Sequence, residues 1–363
     1  MAMDYGNMFA DVFRIRQSMF GDETAEDGIR DLREDVQSVI EGKREVPKLR
    51  FISFKMTNYC NSDCSYCVHA RSRHEDHKQE IPTDIVFRAI DDAARLGCAA
   101  IAVNGGEPLL MPHVIDIIKR IREDRIVPVL MTNALLLPDK WEELGEAGLR
   151  FIIISFDSMD KEVYEKQRGA SFEQALAGID AACRLREKYG DTEIYISATL
   201  TQDNFADIRK LLEFTAEKKI KLQFSPFHNY LGDRGKDFRM ESDRTRRQIG
   251  ELIDMKKEGC LVGSSVGYMS HFADYFLEHK AVPDGYRCKM GFCNVCIDAE
   301  MNVKSCWSQN LRPLGNLAEA SLYDIWNSEL AREQRGMMLR GECEGCWYMC
   351  TEITMLADDR LFS

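Results

Sequence analysis

From residue 49 the chain alternates short apolar runs with longer amphipathic stretches, and that rhythm limits its fold more than any other feature. The runs cover 51–56, 99–103, 127–131, 151–156, 194–199 and 220–224. Between them lie helical patterns such as IPTDIVFRAIDDAARLG and SFEQALAGIDAACRLREKYG. Several open at a residue suited to capping, such as Thr83 or Asn204. Strands alternating with helices of this length imply βαβ units and a parallel sheet. The expected fold class is α/β, a partial (β/α)6 TIM-like barrel, which places chemistry at the C-terminal ends of its strands. Residues 1–48 read as helices with a charged exposed face that cap the barrel of 49–240. Residues 241–287 read as a helical linker, and 288–363 as a cysteine-dense extension too poor in long elements to build a large core without bound metal.

Thirteen cysteines sit unevenly along the 363 residues. Three fall within 60–67 and seven within 288–350, while Cys98, Cys183 and Cys260 stand alone and read as small buried hydrophobes. The N-terminus, MAMDYGNMFADVF, lacks the basic-then-apolar pattern of a secretion signal, so the expected location is cytoplasmic, where thiols stay reduced. No apolar run approaches the roughly 20 residues of a membrane span. The net charge of −12 disfavours nucleic acid and anionic membranes as partners. Reduced cysteines at close spacing point to metal.

The first run, FISFKMT, leads into NYCNSDCSYCVHA, with the spacing Cys60-x3-Cys64-x2-Cys67. Three thiolates so placed can wrap three corners of an iron–sulfur cubane and leave the fourth iron open as a coordination site. Zinc is the other reading, with His69 or His74 as a fourth ligand. After a first strand, CNSDCSYC resembles the radical S-adenosylmethionine (SAM) enzymes, over roughly residues 50–350. The resemblance implies a [4Fe-4S] cluster on these three cysteines that chelates SAM and cleaves it to a 5′-deoxyadenosyl radical, which takes a hydrogen atom from substrate. A flavodoxin- or ferredoxin-type electron donor follows from the same likeness. Tyr66 matches the family's aromatic contact to adenine. Gly105, Gly106 and Glu107 match the motif that binds the SAM amino group, the glycines allowing close backbone approach and the carboxylate meeting an ammonium. Thr132 and Asn133 form a polar pair at the third strand's end. Ser155 and Arg168 match positions that contact the SAM carboxylate or ribose, and Ser197 is a further candidate on the fifth strand.

The C-terminal cysteines are Cys288, Cys293, Cys296 and Cys306, then Cys343, Cys346 and Cys350, separated by LRPLGNLAEASLYDIWNS. The pattern resembles the SPASM/twitch extensions of radical SAM enzymes, which hold auxiliary iron–sulfur clusters. Two ligand sets stay open. Cys288, Cys306, Cys343 and Cys346 make one closed cubane, as in the twitch of an aminoglycoside-type dehydrogenase. Alternatively all seven thiolates hold two clusters, one with an open iron. Zinc in the Cys-x2-Cys pairs is a third reading.

The loop SPFHNYLGDRGKDFR should overhang the barrel mouth, with His228, Tyr230, Asp233 and Arg234 as candidates to orient or deprotonate substrate. The patch RSRHEDHK, with His74 and His77, reads as a charged exposed loop. The functional expectation is a radical SAM enzyme whose auxiliary cluster accepts an electron while a small polar, sugar- or cyclitol-like metabolite is oxidised. A peptide or protein maturase is the alternative, and a non-catalytic zinc-stabilised binding module is an alternative of another class.

Overall fold

The computed structural model describes residues 7–21, 23–67, 79–226, 242–278, 285–307, 311–343, 346–347 and 349–357. Six parallel strands carry the alternation: β1 (Phe51–Thr57), β2 (Ala100–Gly105), β3 (Val127–Thr132), β4 (Phe151–Ser155), β5 (Glu193–Leu200) and β6 (Lys221–Pro226). Preceding them are α1 (Met8–Phe20) and α2 (Ala25–Ile40). Between them run α3 (Thr83–Arg95), α4 (Val114–Glu123), α5 (Leu137–Glu146), α6 (Lys161–Arg168), α7 (Phe172–Tyr189) and α8 (Ile208–Glu217), followed by α9 (Ser242–Lys257) and α10 (Val266–Glu278). The strands stand in sequence order, so each βαβ unit winds onto its neighbour and the sheet forms a partial barrel.

The two faces of each strand differ, as a period of two requires. Ile52, Phe54, Ile101, Val103, Leu130, Ile152, Ile154, Ile196 and Ala198 point to the helices and are buried there. The alternate residues face the lumen. Low on that face lie Phe51, Val127, Val129, Phe151, Ile153 and Tyr195, packed with Phe13, Ile15 and Leu32 of α1 and α2. The rings of Phe151 and Tyr195 stack at 5.5 Å. Towards the strand ends the same face turns polar, through Ser53, Lys55, Asn104, Ser155, Ser197 and Gln223. Ser53, Lys55, Ser155 and Ser197 remain half-buried, whereas Asn104 and Gln223 are buried.

The N-terminal helices therefore plug the barrel floor. Asn7 caps α1, and Thr24 with Asp27 forms a capping box on α2. Arg14 pairs with Glu193, while Lys221 and the Tyr195 hydroxyl meet Asp11. Two expected caps differ. Thr83 is the first residue inside α3, whose cap position is Pro82. Asn204 makes no side-chain cap; its amide donates to Asp157 O and Thr199 O and accepts from Thr201 N, tying the end of β5 to that of β4.

The cysteine-dense segment extends the sheet itself. Helix α11 (Met290–Cys293) leads into β7 (Asn294–Ile297), which pairs parallel to β1 and covers an otherwise open strand edge. Strands β8 (Asn302–Lys304) and β9 (Gly315–Asn316) follow antiparallel. Then come α12 (Leu322–Asn327), α13 (Glu329–Arg340) and α14 (Thr351–Ala357). The segment holds a helix of 12 residues, α13, and its Leu314, Leu317, Ile325, Trp326 and Trp347 join the main core. Trp326 Nε1 donates to Pro47 O at 2.8 Å and Trp347 Nε1 to Tyr268 O at 2.8 Å. Ile353 and Leu356 of α14 complete the lumen floor. Among the described residues no helix is long and apolar enough to cross a membrane.

The plug should carry measurable stability. Leu32 has no exposed surface, so Leu32→Ala is expected to cost about 2–5 kcal/mol in urea unfolding. A cost below about 0.5 kcal/mol, typical of surface changes, would show that α2 is not part of the core.

Candidate metal and cofactor site

The loop after β1 carries Cys60, Cys64 and Cys67 over the strand ends, and three sets of contacts hold it. From β2, Gly106 N donates to Thr57 O and Glu107 N to Tyr59 O, both at 2.8 Å. A Cβ on Gly105, at φ +138°, would lie 2.3 Å from Thr57 O, and one on Gly106 would lie 2.0 Å from Tyr59 O. These glycines thus let the β2 loop close on the cysteine loop, besides the close approach to a ligand that the motif suggests. From β3, Asn133 Nδ2 faces Asn61 Oδ1 at 2.7 Å, Ser62 Oγ at 2.9 Å and Cys60 Sγ at 3.8 Å. From α6, Gln167 O accepts from Ser65 N at 2.8 Å, and Gly169 packs against Asp63.

Glu107 is fully buried. Its Oε1 accepts from Leu109 N at 3.0 Å and Thr132 Oγ1 at 2.8 Å, and its Oε2 from Asn133 N at 2.8 Å. The carboxylate expected to face a ligand ammonium is thus engaged by the protein's own donors, locking β2 to β3. Burial raises its pKa to about 7 against the opposing pull of those hydrogen bonds.

Arg168 is likewise engaged. Its Nη2 donates to Asp157 Oδ1 at 2.6 Å, and its Nε lies 2.6 Å from Asp157 Oδ2. The Tyr66 hydroxyl donates to the same carboxylate at 2.5 Å, and Thr199 N to its Oδ1 at 2.8 Å. Arg168 also reaches Cys64, where its charge opposes the rise that burial imposes on the thiol. Asp157, two residues past Ser155 in the SFDS run at the end of β4, gathers these groups, and no spacing in the sequence marks it for that role. Ser155 and Ser197 are register partners on the lumen face.

The thiols of the first set are mutually close. Burial pushes Cys60 up to about 11, with Glu107, Cys64 and Cys67 adding to the rise. Such thiols ionise when a metal binds them. In the second set Cys288 is pushed up to about 12, chiefly by burial and also by Cys346 and Cys343. A hydrogen bond between Cys346 and Cys350 lowers the first and raises the second, and Cys288 and Cys306 also act on Cys350. Cys288, Cys306, Cys343, Cys346 and Cys350 are thus linked by charge effects that run through Cys288 and Cys350. Cys293 is fully buried beside Cys288 in the floor cluster. Cys296 stands apart on β7, opposite Ser53 and beside Lys55 and Lys304 on the lumen side.

Among the described residues no three His, Cys, Asp or Glu side chains close round one point as a single ion requires. A multi-iron cluster, with each thiolate on its own iron, fits such open thiol sets. All thirteen cysteines are free of disulfides. His69, His74, His77, His228, Tyr230, Asp233 and Arg234 lie outside the described residues.

Lys55 stands between the first set and Cys296. Its Nζ lies 3.8 Å from the centre of the Trp307 ring, and burial lowers its pKa against the opposing pull of Cys296 and Cys67. Trp307 follows Cys306 directly, and its Nε1 donates to Ser53 Oγ at 3.2 Å. Asn104 Nδ2 donates to the same oxygen at 3.0 Å. The lumen wall thus presents a cation, hydroxyls and amides between two groups of thiols.

The Radical SAM superfamily pattern matches residues 54–215, and an iron–sulfur cluster-binding SPASM domain matches 288–347. A GTP 3',8-cyclase of Limosilactobacillus fermentum is 32% identical over 186 residues, covering 49% of this chain and 54% of that protein. The chain thus spans about half the length of that relative. A GTP 3',8-cyclase of Clostridium perfringens is 26% identical over 270 residues, covering 67% of this chain and 80% of that protein. The crystal structure of Streptococcus suis SuiB bound to S-adenosylmethionine superposes with a TM-score of 0.65 at 17% identity, over 87% of this chain and 74% of that one, a likeness of fold.

The Glu107 lock has a pH signature. A carboxyl with a raised folded pKa holds its proton longer in the folded chain than in the unfolded one, so its deprotonation opposes folding between about pH 4.3 and 7. Glu107→Gln should be less stable overall by about 1–3 kcal/mol, because its new N–H group faces existing donors. It should also lose the part of the stability decline that wild type shows as pH rises through that window. Parallel pH–stability curves for the two proteins would remove the assignment.

Proposed function

The chain belongs to the radical SAM superfamily and carries a SPASM iron–sulfur cluster-binding domain, and from that premise we propose that it takes a hydrogen atom from a small polar metabolite held in the barrel lumen and oxidises it. The family implies a SAM-binding [4Fe-4S] cluster, SAM itself and auxiliary iron–sulfur clusters. When bound, these supply reductive cleavage of SAM and a route for electrons. The chain's own residues do the rest. Cys60, Cys64 and Cys67 would hold the first cluster, on a loop fixed by Glu107, Asn133 and the Asp157–Arg168 pair. Ser155 and Ser197, register partners on the lumen face, would contact SAM.

One observation carries the substrate class. The upper lumen face is polar and cationic, with Lys55 on the Trp307 ring between Cys67 and Cys296. An ammonium on an aromatic face, with hydroxyls beside it, suits an oxygen-rich or anionic small molecule. The relatives' printed name, GTP 3',8-cyclase, puts a nucleotide in that same broad class. The second thiol set joins this wall through the Cys306–Trp307 step, which supports a role for its cluster as electron acceptor. The reductant is proposed to be a flavodoxin- or ferredoxin-type protein and the location cytoplasmic.

Anaerobic reconstitution with iron and sulfide, followed by 5′-deoxyadenosine under dithionite, tests the reading. Replacing Cys60, Cys64 and Cys67 with Ala should abolish that product while iron stays at the second set. Continued product from the triple variant would sink the assignment.

Iron counts test the ligand set. With one cubane on each thiol set, wild type should carry about 8 irons. Cys288→Ser and Cys346→Ser should each lose up to about four, whereas Cys296→Ser should lose none. Loss of a whole cluster's iron from Cys296→Ser would return Cys296 to the ligands. Circular dichroism must accompany each count, because a metal-stapled segment can unfold when its ligand goes.

A further inference from the structure

Gln223 has no exposed surface, yet neither its amide oxygen nor its amide nitrogen has a hydrogen-bond partner. It sits on the lumen side of β6, between Leu222 and Phe224, which face the helix layer. Its register partner is Ser197, whose own partner is Ser155. The three side chains therefore form one row across β4, β5 and β6, above the stacked Phe151 and Tyr195. The outer edge of β6 is covered: Gly263 N donates to Leu222 O at 2.6 Å, and Val262 bridges Leu222. Gln223 is not left bare by a frayed edge.

An unpaired buried polar group costs about 1–3 kcal/mol, and a primary amide brings both a donor and an acceptor. An apolar side chain of the same shape would avoid that cost, as Val129 and Ile153 do lower on the same face. A buried unsatisfied group in a native protein calls for an explanation, and a bound partner that completes it is one. The amide is planar and offers its donor and acceptor side by side. It can pair twice with a ligand edge of the same kind, as glutamine does with adenine.

We propose that Gln223 is a ligand-reading residue, whose amide pairs with the planar donor–acceptor edge of a nucleobase on the molecule bound in the lumen. This rests on the lumen being the place where SAM and substrate meet. The edge belongs either to the adenine of SAM or to the substrate. The Lys55 ammonium on β1, 3.8 Å from the centre of the Trp307 ring, is a second polar group on the same lumen face.

Gln223→Met, close in shape but unable to pair, separates a reading role from a structural one. Thermal unfolding of the ligand-free protein should show the variant at least as stable as wild type, because a buried unpaired amide has been removed. Equilibrium dialysis of reconstituted protein with SAM, and ligand-observed NMR with adenosine and guanosine as probes, then locate the edge. A loss of roughly tenfold or more in SAM affinity assigns it to adenine. The same loss for the nucleosides, with SAM affinity kept, assigns it to the substrate. A variant that unfolds earlier, or that keeps both affinities, overturns the proposal. A wild-type protein that binds no SAM would break the functional reading alone, and Gln223 would still be judged by the nucleosides and the unfolding curve.

Discussion

The buried ion pair between Asp157 and Arg168 is the constraint on which the top of the barrel depends. One carboxylate receives Arg168, the Tyr66 hydroxyl and Thr199 N, and so joins the cysteine loop, α6 and the ends of β4 and β5. Desolvating two charges is costly, so such a pair adds little net stability over an apolar substitute. Removing one partner is different, because it strands a buried charge at a cost of about 3–5 kcal/mol. The pair's value here is orientation. Arg168 is aimed at Cys64, and Tyr66 is held at the strand end where it flanks the lumen.

A second lock does the same work on the other side. Glu107, Thr132 and Asn133 run as one hydrogen-bonded chain from β2 through β3 to Cys60. The cysteine loop is therefore gripped at both flanks by buried polar groups on rigid strand ends. Such support lets three thiols keep one geometry before any metal arrives. The lumen below is shaped by polarity rather than by loops. The same strand face is apolar where α1, α2 and α14 plug it and polar one or two residues higher.

The residues that bear on chemistry were legible to different degrees. The thiol spacing and the six strands are local patterns, and each can be read within a dozen residues. Gly105, Gly106, Glu107 and Arg168 were found by their motif, but their partners were not. Tyr66 and Asp157 are 91 residues apart, and no periodicity links such a pair. The second thiol set shows the same limit. Its spacing allowed Cys296 to stand with the others, whereas pairing of β7 with β1 turns Cys296 onto the lumen beside Lys55.

Alternation and close spacing act through neighbours along the chain, so the fold class, the first thiol set and the presence of a second are legible from residue order alone. Tertiary structure decided what those groups face. It set α1 and α2 under the barrel, where their apolar faces find Phe51 and Phe151. It placed Trp307 against Ser53, 254 residues away, so that the cysteine-rich segment forms part of the lumen wall. It also left Gln223 buried without a partner. The physical reason is common to all three. Burial and hydrogen-bond satisfaction are properties of packed surfaces, which exist only once distant segments have met.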